Sequence, residues 1–366
     1  MVDFDVVIVG GGIAGASVGA QIATRRRTVI LEAEDQCGYH ATGRSAAFYL
    51  ESYGGADVAK LTLASRAFLA KPPKAFSDRG FLHVRGDVHL TRAELPEVPP
   101  GVESWPLDRT QLERLVPGIR QEWQRALFEP TCADIDVASL HGAYLRKFRR
   151  DGGRIETRAQ VIRAERRGGT WKISLSDGST RTSSVLVNAA GAWADAVARL
   201  AGASPLGMEP KRRTMVQLRV GRRGLKELPL VDAADGTFYF KGEGDNSVWL
   251  SPHDEIASEP CDAAPDESDV ALAIDRFERV VNWPIERVER SWAGLRTFAP
   301  DRLPVYGYDL HVPGFFWCAG QGGFGIQTSP AAALMAAELL LDETLPETVA
   351  RIDPAVFSPA RFHNRS

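Results

Sequence analysis

The stretch that most constrains this chain is residues 6–15, where the apolar run Val6-Val-Ile-Val9 ends in Gly10-x-Gly12-x-x-Gly15 and then turns amphipathic. It reads as a strand, a tight turn and a helix. Gly10 permits the turn, Gly12 lets the backbone approach a pyrophosphate with no Cβ between, and Gly15 lets the helix pack close to the strand. The helix start offers unpaired N–H groups and a partial positive charge to that pyrophosphate. Three glycines alone are weak evidence. A second strand, Thr28–Leu31, follows at the right spacing and ends in Glu32, whose carboxylate accepts from both ribose hydroxyls and repels a 2′-phosphate. Together they make a dinucleotide-binding βαβ unit.

The length of 366 residues allows two domains or one interleaved α/β unit, and 44% hydrophobic with 25% charged residues is ordinary for a globular chain. A net charge of −3 provides no basic field for nucleic acid, and the runs Arg25-Arg-Arg27, Arg149-Arg150 and Lys211-Arg-Arg213 are short. Cys37, Cys132, Cys261 and Cys318 are scattered with no C-x-x-C pair, which argues against a zinc site, a dithiol redox pair or a disulfide framework. No metal is expected, and a reducing cytoplasm fits best. The apolar start reads as the first strand rather than a signal sequence, and no segment approaches the roughly 20 apolar residues that span a bilayer.

Further along, residues 58–69 look helical and Pro72-Pro73 closes them. Short strands follow from Gly80 to Pro130, interrupted by a helix at 108–115. A longer helix at 136–150 leads to strands at 158–163 and Thr170–Leu175, with a turn at Ser176-Asp-Gly178. A buried strand at 184–191 stops at small residues before a helix at 192–200. A second β-rich block holds strands at 214–220, 237–241, 247–250 and 285–292 and a helix at 268–280. The nucleotide-domain pattern then returns with a strand at Phe315–Ala319, Gly320-Gln-Gly-Gly-Phe-Gly325 and a helix at 329–341. No period of about 20–50 residues repeats, which excludes solenoids and propellers.

With Gly38-Tyr-His-Ala-Thr-Gly-Arg-Ser-Ala-Ala47, Pro210-Lys-Arg-Arg213, Trp292-Ala-Gly-Leu-Arg296 and Gln321-Gly-Gly-Phe-Gly-Ile-Gln-Thr328, the chain resembles the FAD-dependent amine oxidoreductases of the D-amino-acid-oxidase superfamily over nearly its whole length. These segments look most like the D-amino-acid (D-arginine-type) dehydrogenase branch. The resemblance implies an α/β plus α+β architecture, in which a Rossmann-like FAD-binding domain (1–78, 136–205 and 296–366) is interleaved with a mixed-sheet substrate-binding domain (79–135 and 206–295). Implied FAD contacts are Gly10, Gly12, Ile13, Ala14, Gly15 and Glu32 in the first unit, and Thr42, Gly43, Arg44, Ser45 and Ala46 in the loop after it. Val161, Gly191, Gly322, Gly323, Gly325, Ile326, Gln327 and Thr328 complete the set.

Arg296 is the strongest substrate-binding candidate, because a planar guanidinium grips a carboxylate through two parallel hydrogen bonds. The alternative is a surface ion pair. Tyr239 sits in an alternating strand, either as a half-buried packing residue or with its hydroxyl on the same carboxylate. By resemblance Arg213 is a second cation in that pocket, Tyr53 lids it unless it is merely a packed aromatic, and the Gly323 carbonyl accepts from the substrate amine. Backbone donors at Gly325-Ile-Gln-Thr328 face the negative charge that develops when a flavin accepts hydride. His40 reads as a structural hydrogen-bonder without a carboxylate partner.

Two positions depart from relatives that take basic substrates: Phe48 stands where they carry histidine and Asp87 where they carry glutamate. Asp87 either pairs with a cationic substrate side chain or is a solvated loop residue. Thr297-Phe-Ala-Pro300 lacks the cysteine that tethers flavin in sarcosine oxidases, so non-covalent FAD is expected, and Cys318 is expected to pack inside its strand. The implied reaction is oxidation of a D-amino acid by hydride transfer from Cα to flavin N5, with hydrolysis of the imino acid to a 2-oxo acid and ammonia. A glycine- or sarcosine-type secondary amine oxidase that makes hydrogen peroxide is the alternative. The partner is a small amino acid or amine, the electron acceptor is open among a quinone, a protein and O2, and neither a nucleic-acid partner nor a transmembrane segment is expected.

Overall fold

The computed structural model describes residues 2–362, so residue 1 of the segment 1–78 and residues 363–366 of the segment 296–366 lie outside the described residues. The first strand, Phe4–Val9, pairs in parallel with Thr28–Leu31 on one side and Thr180–Asn188 on the other. Arg154–Glu156 and Phe315–Ala319 extend the parallel order outward, and Val305–Tyr308 pairs antiparallel on Phe315–Ala319. The hairpin of Val161–Arg167 and Thr170–Leu175 completes an eight-stranded sheet. Its central strands are continuous apolar runs because both faces are covered. Val6, Ile8, Ile30 and Val187 pack against the helices Ile13–Ile22, Val137–Arg150 and Gly325–Leu341. Val7, Val9, Leu31 and Leu186 face the hairpin and the helix Ala194–Leu200.

A nine-stranded mixed sheet forms the other half. Its longest pair, Glu209–Val220 with Ile285–Phe298, is antiparallel, while Leu230–Ala233 lies parallel to Asp87–Thr91. The helix Glu267–Glu278 packs Ala273 and Phe277 into the core of this sheet. A small sheet of Phe48–Tyr49, Ala133–Ile135 and Leu82–Val84 lies alongside. The eight strands of the first sheet all come from 1–78, 136–205 and 296–366, while the small sheet joins Phe48–Tyr49 of 1–78 to strands of 79–135. Ile285–Phe298 crosses the proposed boundary and carries Arg296 with it.

Several elements differ from the sequence expectation. The strand expected over 285–292 continues to Phe298, and the one expected from 214 begins at Glu209, since the two keep pairing through a stretch whose own alternation is weak. The strand expected over 158–163 is displaced to Val161–Arg167 by its pairing with Thr170–Leu175. Asp108 and Asp136 cap their helices rather than beginning them, accepting from the amides of Gln111 at 2.8 Å and Ser139 at 3.0 Å. The helix expected from 329 begins at Gly325 and contains Pro330. Among the described residues no helix is long and apolar enough to cross a membrane.

Candidate active site

A cavity of about 540 Å³ runs from the first βαβ unit to the long strand pair of the second sheet. Gly10, at φ +103°, makes the turn after the first strand; a Cβ there would sit 2.4 Å from the Ala189 carbonyl oxygen. A Cβ on Gly15 would lie 2.0 Å from the Gly10 oxygen, so Gly15 serves the helix–turn packing and does not itself line the cavity. Gly12, Ile13 and Ala14 do line it. Glu32 accepts from the amides of Gly11 at 2.8 Å and Glu34 at 3.0 Å, which pins its carboxylate in the cavity wall with lone pairs to spare for ribose hydroxyls.

The loop after this unit folds over the helix start, where the Ile13 amide donates to Thr42 Oγ1 at 3.0 Å. Thr42, Arg44, Ser45 and Ala46 line the cavity. The Arg44 guanidinium is turned to the protein: it donates to the carbonyls of Ala263 at 2.8 Å and Ala293 at 3.2 Å and pairs with Asp262. Gly43 faces a separate cavity. His40 has the carboxylate partner that sequence reasoning denied it, Glu34 Oε1 at 2.8 Å, because the loop curls back over the end of the second strand. Val161 and Gly191 complete this end of the wall.

Sequence reasoning missed His141. Its Nε2 donates to the Gly11 carbonyl at 2.9 Å, and burial lowers its pKa, keeping the ring neutral. Its signal was a histidine among the buried residues Leu140, Ala143, Tyr144 and Phe148 of an amphipathic helix.

At the C-terminal glycine loop, Gly322, Gly323, Gly325 and Ile326 line the cavity and Gln327 and Thr328 do not. Since the helix begins at Gly325, the Thr328 amide is already spent within it, on the Phe324 carbonyl at 3.1 Å. The Gln327 side chain holds the backbone of Leu50, accepting at 3.1 Å and donating at 3.2 Å. The helix-start donors left for a ligand are therefore fewer than expected.

Arg296, Tyr53, Gly323 and Arg213 converge. Arg296 Nη1 donates to Tyr53 Oη at 3.3 Å, and a Cβ on Gly323 would meet that hydroxyl at 2.2 Å and the guanidinium at 3.0 Å. Arg213 is 3% exposed; its Nε donates to the Asp254 carbonyl at 2.7 Å and Nη2 reaches Glu255 at 3.3 Å, while Nη1 has no hydrogen-bond partner. Burial and the charge of Arg296 lower its pKa to about 10. His253, also missed, is driven down to about 3 by burial and by both arginines, so it is a neutral imidazole. The Tyr239 hydroxyl lies 3.0 Å from the thioether of Met215, a cavity residue and a weak acceptor.

Asp87 neither faces the cavity nor reaches solvent. On the strand Asp87–Thr91 it is fully buried, opposite Leu230 and Glu129, and burial with the charge of Asp232 raises its pKa well above the usual carboxylate range. Phe48 packs at 6.0 Å from the Tyr239 ring, with Lys241 Nζ 5.5 Å from its centroid. Lys241, which sequence reasoning did not single out, is 5% exposed and paired with Asp134 at 3.1 Å and Glu243 at 2.9 Å.

One continuous cavity thus joins a dinucleotide cradle to paired guanidinium groups, and its close glycine approaches fit FAD. This fold and site define a flavin-dependent oxidoreductase. The chain belongs to the FAD dependent oxidoreductase family, whose pattern matches residues 5–339. It is 25% identical to hydrogen cyanide synthase subunit HcnC of Pseudomonas aeruginosa, over 98% of this chain and 96% of that one. Glycine oxidase of Geobacillus kaustophilus is 24% identical over 92% of this chain and 93% of its own. The chain spans only 35% of FAD-dependent oxidoreductase domain-containing protein 1 of Xenopus laevis, at 30% identity over 43% of this chain. Among solved structures, L-proline dehydrogenase from P. horikoshii superposes with a TM-score of 0.83 at 19% identity, covering 98% of this chain and 97% of that one. Geobacillus kaustophilus glycine oxidase gives 0.81 at 22%, covering 99% of each. At these identities the superpositions establish the fold.

Proposed function

We propose that this oxidoreductase acts on the Cα–N bond of a D-amino acid. The observation that carries the reading is the convergence of Arg296, Arg213, Tyr53 and Gly323 at one end of the cavity whose other end is the dinucleotide cradle. Bound FAD supplies the acceptor for a hydride. Arg296 grips the substrate carboxylate and Arg213 Nη1 adds a donor to it, which fixes where Cα sits. The Tyr239 hydroxyl leaves Met215 for that carboxylate, a stronger acceptor. Tyr53 closes over the substrate, and the Gly323 carbonyl accepts from the amine. Two guanidinium groups disfavour the ammonium form of the bound amine, so the α-hydrogen departs with its electron pair from a neutral amine without a dedicated base. Water then adds to the imino acid and ammonia leaves, giving the 2-oxo acid.

The D configuration rests on the motif resemblance. The similarity to glycine oxidase favours a second reading, oxidation of glycine or sarcosine with release of hydrogen peroxide. Anaerobic mixing with D- and L-amino acids, glycine and sarcosine, followed at the flavin band near about 450 nm, separates them. Bleaching by D-amino acids alone supports the first reading; bleaching by glycine or sarcosine, with peroxide in air, supports the second. No bleaching by any of them overturns both. Non-covalent binding is part of the proposal: acid precipitation releases the yellow colour to the supernatant.

A further inference from the structure

Four ionisable side chains meet on one face of the nine-stranded sheet, away from the wall of the flavin cavity. Asp87 and His89 are two residues apart on one strand and so share a face. Glu129 is the register partner of Asp87 on one side, and Asp232 is the partner of His89 on the other. Asp87 and Glu129 are fully buried and His89 is 7% exposed. His89 Nδ1 lies 2.8 Å from Asp232 Oδ1, so Nδ1 donates there and the other ring nitrogen, Nε2, points inward. That nitrogen stands 3.5 Å from Asp87 Oδ2 and 3.6 Å from Glu129 Oε2. His89 Nε2, both oxygens of Asp87 and Glu129 Oε2 make no hydrogen bond. The other Glu129 oxygen is occupied by the Glu51 amide at 2.7 Å, which holds the carboxylate in place.

Buried polar atoms that make no hydrogen bond are costly, and His89 Nε2, with an oxygen of Asp87 at 3.5 Å and one of Glu129 at 3.6 Å, can share an occupant with both carboxylates. We propose that Asp87, His89 and Glu129 bind a divalent transition-metal ion, with zinc the best fit, and that Asp232 holds the imidazole in the ligating tautomer. Zinc bonds to nitrogen and oxygen of about 2.0–2.2 Å at tetrahedral angles place ligand atoms roughly 3.3–3.6 Å apart. The observed separations from His89 Nε2 fall in that range. Two ligating carboxylates match the charge of the ion, and a carboxylate behind the ligating histidine is the usual orienting partner. The ion would tie together the strands Asp87–Thr91, Arg125–Glu129 and Leu230–Ala233. Since Asp232 is also the register partner of Tyr239, it would stiffen the strand that borders the substrate end. The site does not depend on which substrate is turned over.

The test uses the FAD-loaded protein, saturated with zinc, desalted and measured for metal content by mass spectrometry. The expected result is one zinc per chain with a rise in Tm that a chelator reverses. Asp87→Asn and His89→Gln should lose the ion, and Asp232→Asn should bind it about 10–100-fold more weakly. Wild-type protein with less than about a tenth of an equivalent of zinc, manganese or iron and no metal-dependent Tm would overturn the proposal. So would a full equivalent retained by His89→Gln. If the variants do not fold, the wild-type content and its reversible Tm decide alone.

Discussion

The two ends of the cavity are built on opposite principles. At the dinucleotide end the chain presents backbone: Gly10 and Gly15 are required because a Cβ would strike main-chain oxygen at 2.4 and 2.0 Å, and both contacts arise from one short βαβ unit and its neighbour strand. At the substrate end it presents side chains from distant segments: Tyr53 reaches Arg296 across 243 positions of sequence. A backbone cradle has no close substitute, whereas a side-chain cluster degrades residue by residue.

The sharpest way to break this contrast is at Gly15. Gly15→Val should abolish FAD retention, read as the ratio of flavin to protein absorbance, because the displaced atom would be backbone and cannot swing aside. A variant that keeps stoichiometric FAD would show that the cradle tolerates what the geometry forbids. Next, Arg296→Lys should keep FAD and lose on the order of 10²-fold in kcat/KM, since lysine keeps the charge but not the fork that orients Cα. Near-wild-type kinetics would remove Arg296 from the substrate.

Side-chain preference should be a smaller effect. Lys241 beside Phe48 places a protein cation near the position at which basic-substrate relatives carry histidine, and Asp87 is buried away from the cavity. D-Methionine, D-leucine and D-phenylalanine should therefore be turned over at least as efficiently as D-arginine and D-lysine. A preference above about tenfold (about 1.4 kcal/mol) for the cationic pair would reverse this reading.

The smallest effect is a titration. Arg213 carries its charge below a pKa of about 10, depressed by burial and by Arg296. Its attraction for a carboxylate is thus fully present well below that pH and fades as pH rises through it. Propionate, which has no amine to titrate in that window, should bind with a dissociation constant that increases a few-fold there. Arg213→Met should bind more weakly at lower pH and show no such rise; a flat wild-type profile would separate Arg213 from the carboxylate.

The residues of the first βαβ unit were legible because a glycine turn, its flanking strand and Glu32 act within a few dozen residues, and their chemistry follows from local backbone geometry. The C-terminal glycine loop was legible for the same reason, but the start of its helix was not. Pro330 and the glycines before it argued for a later beginning, and packing against the first helix and the sheet overrode that local preference. Arg296 was identifiable as a residue type in a motif, yet its strand ran longer than its own alternation indicated because a partner strand supplied the hydrogen bonds. His253, Lys241 and the set around His89 carry no local signature, and His141 carries only that of a polar residue on the buried face of its helix. Asp87 faces Glu129 rather than a substrate only because of the register among three strands far apart in sequence. A one-residue slip would send its side chain to the other face, and such a choice is made by the pairing of the whole sheet rather than by any one segment of it.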